Sequence, residues 1–168
     1  MFTWLLGKSP QAAERRSVRR RESVEAIELN ELGFWFQLTP PEGPLETDRH
    51  RLLNVVADFK LVVGQRIIFS EANFPIIELA IQLDRWLGSV TESHTEFVYT
   101  SLESGIIGII RVAPGVEGWH VGSVFAEFAD STPFPLEEVV TAARSYITAV
   151  EEAVLAEYGF RPSEITPA

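Results

Sequence analysis

The sequence predicts an α+β protein: a two-layer fold in which an antiparallel sheet of about six strands carries two helices on one face, in the order (α)βββαβββα. Three observations carry this prediction. Residues 51–63, RLLNVVADFKLVV, alternate side chains between two faces with the period of two that a half-buried strand requires. Residues 75–88 and 135–159 instead space their apolar positions three or four apart, the period of an amphipathic helix. Between these helices, three β-rich runs are separated by glycine-bearing turns, the pattern of an antiparallel meander.

The elements follow in chain order. Ser9 and Pro10 form a helix start, but Ala12, Ala13 and Val18 are the only apolar residues after it. Arg15, Arg16, Arg19 and Arg20 form like-charge pairs at i,i+4, so residues 1–21 read as an exposed basic arm and 22–168 as a single domain. Val24 to Leu38 is the first strand, ended by the loop TPPEGP. In the second, Leu53, Val55, Ala57, Phe59, Leu61 and Val63 share one face. Gly64-Gln65 suits a type II′ hairpin turn, which sets Val63 opposite Arg66 and Leu61 opposite Ile68 and starts a third strand, Arg66 to Ser70.

In PIIELAIQLDRWLG, residues 75–88, Ile76, Leu79, Ala80, Leu83, Trp86 and Leu87 fall within an arc of about 120° that packs on the sheet. Glu78, Gln82 and Arg85 group opposite it, and Ile77 with Ile81 forms a second apolar patch that calls for a neighbouring helix. TEFVYTSL, IIGIIRV and WHVGSVFAEF make the meander. The final helix, from Pro135 to the stop at Gly159, places Leu136, Val140, Ala143, Ile147, Val150 and Val154 on its inner stripe and supplies the neighbour.

Composition narrows the chemistry. The chain has 168 residues, one domain's worth, and 46% of them are hydrophobic, enough to bury a core. It has no cysteine, which excludes disulfides, thiolate metal sites and a thiol nucleophile and suits a reducing, cytoplasmic setting. MFTWLLG places a short apolar run ahead of its cations, the reverse of a secretory leader, and no apolar run approaches the roughly 20 residues of a membrane helix. The net charge is −10, but residues 1–21 hold six of the 14 basic residues and one acid, a net of +5, leaving −15 on the rest. Such a body repels nucleic acid and anionic membrane surfaces and steers basic proteins toward itself.

Motifs for catalysis or cofactors do not emerge. His50, His94 and His120 are far apart, without metal-ligand spacing. Ser101 and Ser123 lie in or at the ends of strands, outside any nucleophile elbow. Gly115, Gly118 and Gly122 lead into a strand where a phosphate loop needs a helix N-terminus, so no cofactor is expected. Glu103 and Glu127, near strand ends, are the pair that an acid–base hydrolase would use. Trp119, His120, Tyr99 and Glu103 are the candidates for a partner-binding surface, with Trp119 just after a loop as its aromatic anchor.

Glu78-Leu79-Ala80 with Leu83 and Trp86, Phe97-x-Tyr99-x-Ser101-x-Glu103, and Gly118-Trp119-x-Val121-x-Ser123 resemble an uncharacterised family of small bacterial α+β proteins over residues 50–158. The chain is also loosely similar to toxin-immunity proteins and to type III secretion chaperone-like domains. That resemblance implies a non-catalytic protein that binds and neutralises a basic partner, or else one that holds an extended client chain.

Overall fold

A computed structural model describes residues 32–126 and 133–166. The arginine-rich arm, the start of the predicted first strand (24–31) and Glu127 lie outside the described residues. The class is α+β, and the described residues form two three-stranded antiparallel sheets and three α-helices. Strands β1 (Leu32–Leu38), β2 (Val56–Val63) and β3 (Arg66–Pro75) form one sheet in that order, and β4 (Phe97–Thr100), β5 (Ile107–Pro114) and β6 (Trp119–Gly122) form the other. Helix α1 spans Asp48–Asn54, α2 Ile76–Ser93 and α3 Leu136–Tyr158.

The single six-stranded sheet expected from the sequence is therefore divided in two. The physical reason lies at the edge of β4: α2 engages that edge with its side chains, so no strand of the first sheet pairs there. One apolar core still serves both sheets, because Phe59, Leu61 and Phe74 from the first and Tyr99, Ile110 and Val121 from the second belong to the same buried cluster.

Residues 56–63 alternate as the sequence predicts: Ala57, Phe59, Leu61 and Val63 are buried, Asp58 and Lys60 exposed. Residues 51–54 do not continue the strand but close helix α1. Its start is fixed by Thr47, whose hydroxyl accepts the His50 N–H at 3.2 Å, a cap that outweighs the short apolar alternation. The hairpin turn has Gly64 at φ 59°, where glycine is needed, and pairs Val63 with Arg66 as expected. Leu61, however, sits opposite Phe69, because a bulge beside Ile68 shifts the register.

Strand β3 runs to Pro75, past the expected end at Ser70. Its second bulge centres on Asn73, at φ 57°. Phe69 pairs with Leu61, Glu71 with Phe59, and Phe74 with Ala57. The extra residue thus resets the alternation, so that Phe69 and Phe74 are both buried while Glu71 between them stays exposed.

Helices α2 and α3 touch side by side, and both Ile77 and Ile81 are drawn into the core, as the second apolar patch requires. The inner stripe of α3 is Val139, Ala143, Tyr146, Val150 and Val154, so Leu136, Val140 and Ile147 sit at its half-buried margin and not at its centre. Tyr146 causes this rotation. Its ring packs against Phe34, Phe36 and Phe59 of the first sheet, and its hydroxyl donates to the Ile76 carbonyl at 3.0 Å. Gly159, at φ 75°, ends the helix in the left-handed cap expected of it. Among the described residues, no helix is long and apolar enough to cross a membrane.

Candidate functional site: the seam between the sheets

The two sheets meet along β3, and three contacts mark the seam. Phe74 lies 5.5 Å from the Tyr99 ring, Glu71 feels the charge of Glu103, and Phe69 stacks on Phe125 at 6.1 Å and 15°. At its base stands Glu78, on the first turn of α2 and only 2% exposed.

The sequence places Glu78 on the solvent face of its helix, with Gln82 and Arg85. The structure reverses this for Glu78, because the whole first turn of α2 is enclosed between α3 and the β4–β5 hairpin, leaving no wet side. Its carboxylate is fully engaged. The Leu102 N–H donates to Oε1 at 2.7 Å, the Tyr99 hydroxyl to Oε2 at 3.0 Å, and the Gln82 amide to Oε1 at 3.2 Å. Nearby, the Ser101 hydroxyl oxygen accepts the N–H groups of Glu103 and Ser104.

The polar side chains of α2 continue along β4. Gln82 Nε2 donates to the Thr100 carbonyl at 2.9 Å while Gln82 Oε1 accepts the Thr100 N–H at 3.3 Å, and Trp86 Nε1 donates to the Thr95 carbonyl at 2.8 Å. Residues 78 and 82 are spaced by four, about 6 Å along a helix, close to the two-residue step from Leu102 to Thr100 on the strand side, roughly 6.6 Å. A row of side chains on α2 thus takes the place of a neighbouring strand.

Burial pushes the Glu78 carboxyl above the ordinary 4.5, against the pull of the Leu102 and Tyr99 hydrogen bonds, and the Glu103 charge pushes it further. Glu71 is raised too, by burial first and by Glu103 second. The Tyr99 hydroxyl is raised by its burial and by the adjacent Glu78 charge. Because the folded chain holds the Glu78 proton more tightly than the unfolded one, this stabilisation is complete below pH 4.5 and is lost as pH rises through the folded value. The urea midpoint is expected to fall across that interval, and Glu78→Gln, which keeps an acceptor for Leu102, is expected to flatten the slope. Equal slopes in both chains would show that Glu78 is not the titrating group.

The four residues chosen from the sequence separate into two places. Tyr99 and Glu103 belong to the seam, Tyr99 buried and Glu103 exposed in the β4–β5 turn. Trp119 and His120 lie at the other end of the meander, since Thr100 pairs with Ile107 and Trp119 with Pro114, roughly 20 Å away along β5. Trp119 is a core residue there, 6% exposed and 6.0 Å from the Trp86 ring. The half-buried His120 ring lies against Gly115, where a Cβ would come within 2.6 Å of it.

Five of the nine exposed large apolar residues among those described lie in one region of the second sheet. Leu102 (65% exposed), Ile106 and Ile107 (67%) come from the β4–β5 hairpin, and Val124 and Phe125 (63%) from the turn after β6. A hydrogen bond of 2.9 Å from Val124 N–H to the Gly108 carbonyl holds the two groups together. Ile107 and Val124 line an open cleft of about 500 Å³ together with Val98, Gly108, Ser123, Ala126 and the Arg111–Glu96 ion pair at 2.6 Å. Neither Glu71 nor Glu103, in the β4–β5 turn, forms an ion pair among the described residues. The sequence carries a faint trace of this surface in Ile106-Ile107 and Val124-Phe125, apolar pairs where a turn and a strand end would ordinarily be polar. Among the described residues, no group of three or more histidine or acidic side chains is arranged to hold a metal ion.

Residues 34–156, which include the seam and the cleft, match the model of a family described as a domain of unknown function, DUF7878. No curated protein and no solved structure matches the chain.

Proposed function

The chain belongs to the DUF7878 family, and from that premise we propose that it is a non-catalytic protein-binding domain whose partner presents apolar side chains beside basic ones. The observation that carries this reading is the group of exposed apolar residues at 102, 106, 107, 124 and 125, with Glu71 and Glu103 forming no ion pair among the described residues. Exposed apolar patches rimmed by charge are the usual mark of an interaction surface. Neutralisation of a basic partner, as immunity-type proteins achieve it, is the specific form proposed. The acidic body steers the partner in, Glu71 and Glu103 meet its cations, and Leu102, Ile107 and Phe125 lose water against its apolar side chains. Glu78 has no part in binding; its oxygens are occupied in holding the hairpin that displays the patch.

The test is a complex purified from the native cell and reconstituted one to one. Its association rate is expected to fall about tenfold or more between roughly 50 and 500 mM salt. Ile107→Asp or Val124→Asp, both on exposed side chains, is expected to weaken binding about 10- to 100-fold with folding unchanged. A salt-independent rate, with both variants binding as the parent does, would remove the reading. The exposed Ile107 on a sheet face also suits a chaperone-like client binder. In that case the same surface would take unfolded segments of several proteins and not one folded partner.

A further inference from the structure

Of the four strand edges described, three are closed or interrupted. Side chains of α2 occupy the edge of β4, and Phe134 bridges β6, exchanging backbone bonds of 2.8 Å with Trp119. Two bulges interrupt β3. Strand β1 has no such device. Its seven residues pair with β2 in unbroken register, and its other side meets no strand among the described residues. It contains neither a proline nor a charged residue, the usual means of blocking an edge.

The core is also incomplete along this edge. On β2 the inward residues Ala57, Phe59, Leu61 and Val63 are buried, whereas their partners on β1, Leu38, Phe36, Phe34 and Leu32, are only half-buried. On the opposite face Trp35 is exposed, its indole lying beside Gly33, where a Cβ would come within 3.1 Å of it. Cover is thus lacking on both faces of one strand and along its backbone, which is what an added strand supplies.

The sequence of β1 specifies which strand. LGFWFQL reads almost the same in both directions about Trp35. An antiparallel copy with its two-fold axis at Trp35 sets Leu32 against Leu38 of the copy, Phe34 against Phe36 and Trp35 against Trp35, with Gly33 and Gln37 as the unlike pair. The backbone agrees. The Thr39 N–H points to Val56 of β2, so by strand alternation the N–H and C=O groups of Leu32, Phe34, Phe36 and Leu38 point away from β2. Paired across the axis, these residues exchange about eight hydrogen bonds. Tyr146 of α3 packs on Phe34 at 5.5 Å and on Phe36 at 5.8 Å, so the helix layer is centred at the level of the same axis. Each copy carries a net charge of −10, and β1, without a charged residue, is a stretch where two such copies meet with little repulsion.

We propose that this chain forms a two-fold symmetric dimer through β1, joining two three-stranded sheets into one of six strands in the order β3-β2-β1-β1-β2-β3. The inference goes beyond the reading of the second sheet as a partner-binding surface, since the patch there takes no part in this contact.

The test is sedimentation equilibrium of the full chain. The mass is expected to rise from one chain to two as the concentration increases from roughly 1 to 200 µM. Trp35→Lys, a change at an exposed side chain, sets two cations face to face across the axis and is expected to weaken dimerisation about tenfold or more. Because the chain has no cysteine, oxidation reads the register. The Cα atoms of a non-hydrogen-bonded pair are about 4.5 Å apart, within disulfide range, so Trp35→Cys is expected to yield a covalent dimer. In Gln37→Cys the two thiols stand four residues apart, roughly 13 Å, and are expected to stay reduced. The cysteine variants report the register even where the lysine variant does not fold. A parent chain that stays monomeric at roughly 200 µM would overturn the inference. So would a dimer unaffected by Trp35→Lys, or oxidation that links Gln37→Cys and not Trp35→Cys. A dimer lost in Ile107→Asp and kept in Trp35→Lys would place the contact on the second sheet and overturn it as well.

Discussion

Glu78→Ala is expected to lower the midpoint of thermal unfolding by about 5–15 °C. The substitution removes an acceptor from two donors at once, the buried Tyr99 hydroxyl and the Leu102 N–H, and frees the Gln82 amide from one of its two partners. Leaving buried donors unmatched costs roughly 1–3 kcal/mol each, so a loss of about 2–4 kcal/mol is expected. For a domain of this size each kcal/mol corresponds to about 2–4 °C. Glu78→Gln, which keeps an acceptor and the side-chain shape, is expected to cost less than half as much at neutral pH. Burial already opposes the charged form of the native carboxyl. The decisive comparison is calorimetric: an alanine variant within about 1 kcal/mol of the parent would mean that the hairpin is held by other contacts.

The second large effect belongs to Phe59. Its ring stacks on Phe74 at 4.5 Å and 23°, lies 6.1 Å from Phe69 and meets Tyr146 edge-on at 6.0 Å, joining the first sheet to α3. It is fully buried. Phe59→Ala is expected to destabilise the fold by roughly 3–5 kcal/mol, the transfer cost of the ring plus the cavity it leaves. The expected readout is a lower urea midpoint at an unchanged slope. Because Phe74 contacts Tyr99 across the seam, the cavity should also loosen the second sheet, seen as faster amide exchange at Tyr99 and Ile110. Protection there equal to the parent's would show the two sheets to be less coupled than their shared core implies.

These two residues also show what the sequence can and cannot disclose. Phe59 is legible as core because the period of two from Ala57 to Val63 is a local signal, and the pairing of Val63 with Arg66 follows from two residues of turn chemistry. Helix α2 and the Pro135-to-Gly159 limits of α3 are legible for the same reason. Glu78 is not. Its burial depends on a hydroxyl 21 residues and an amide 24 residues further on, and no window around PIIELA contains them. The division into two sheets is likewise a long-range decision, made where Gln82 meets Thr100.

Some losses were local. Thr47-Asp48 is a helix start that the apolar alternation of the next residues concealed, and two bulges in β3 shifted a register that a regular ladder would have kept. Of the candidate partner-binding residues, Tyr99 and Glu103 fell beside the seam and Trp119 inside the core. The exposed patch is not legible in the sequence, because Leu102, Ile106 and Phe125 look, in a string, like any other β-rich residues. Exposure is a property of what fails to cover them.

The replacement of a neighbouring strand by Glu78, Gln82 and Trp86 has a consequence for how this protein behaves in a crowded solution. Open strand margins are where folded chains zip together into fibrils, and proteins commonly guard them with charges or prolines. Here the guard is a helix already committed to the core, so exposing the Thr100 backbone to another molecule requires the N-terminal half of α2 to pull away. Growth of ordered aggregates from that margin is thereby tied to unfolding itself, and should set in only under conditions that melt the whole domain.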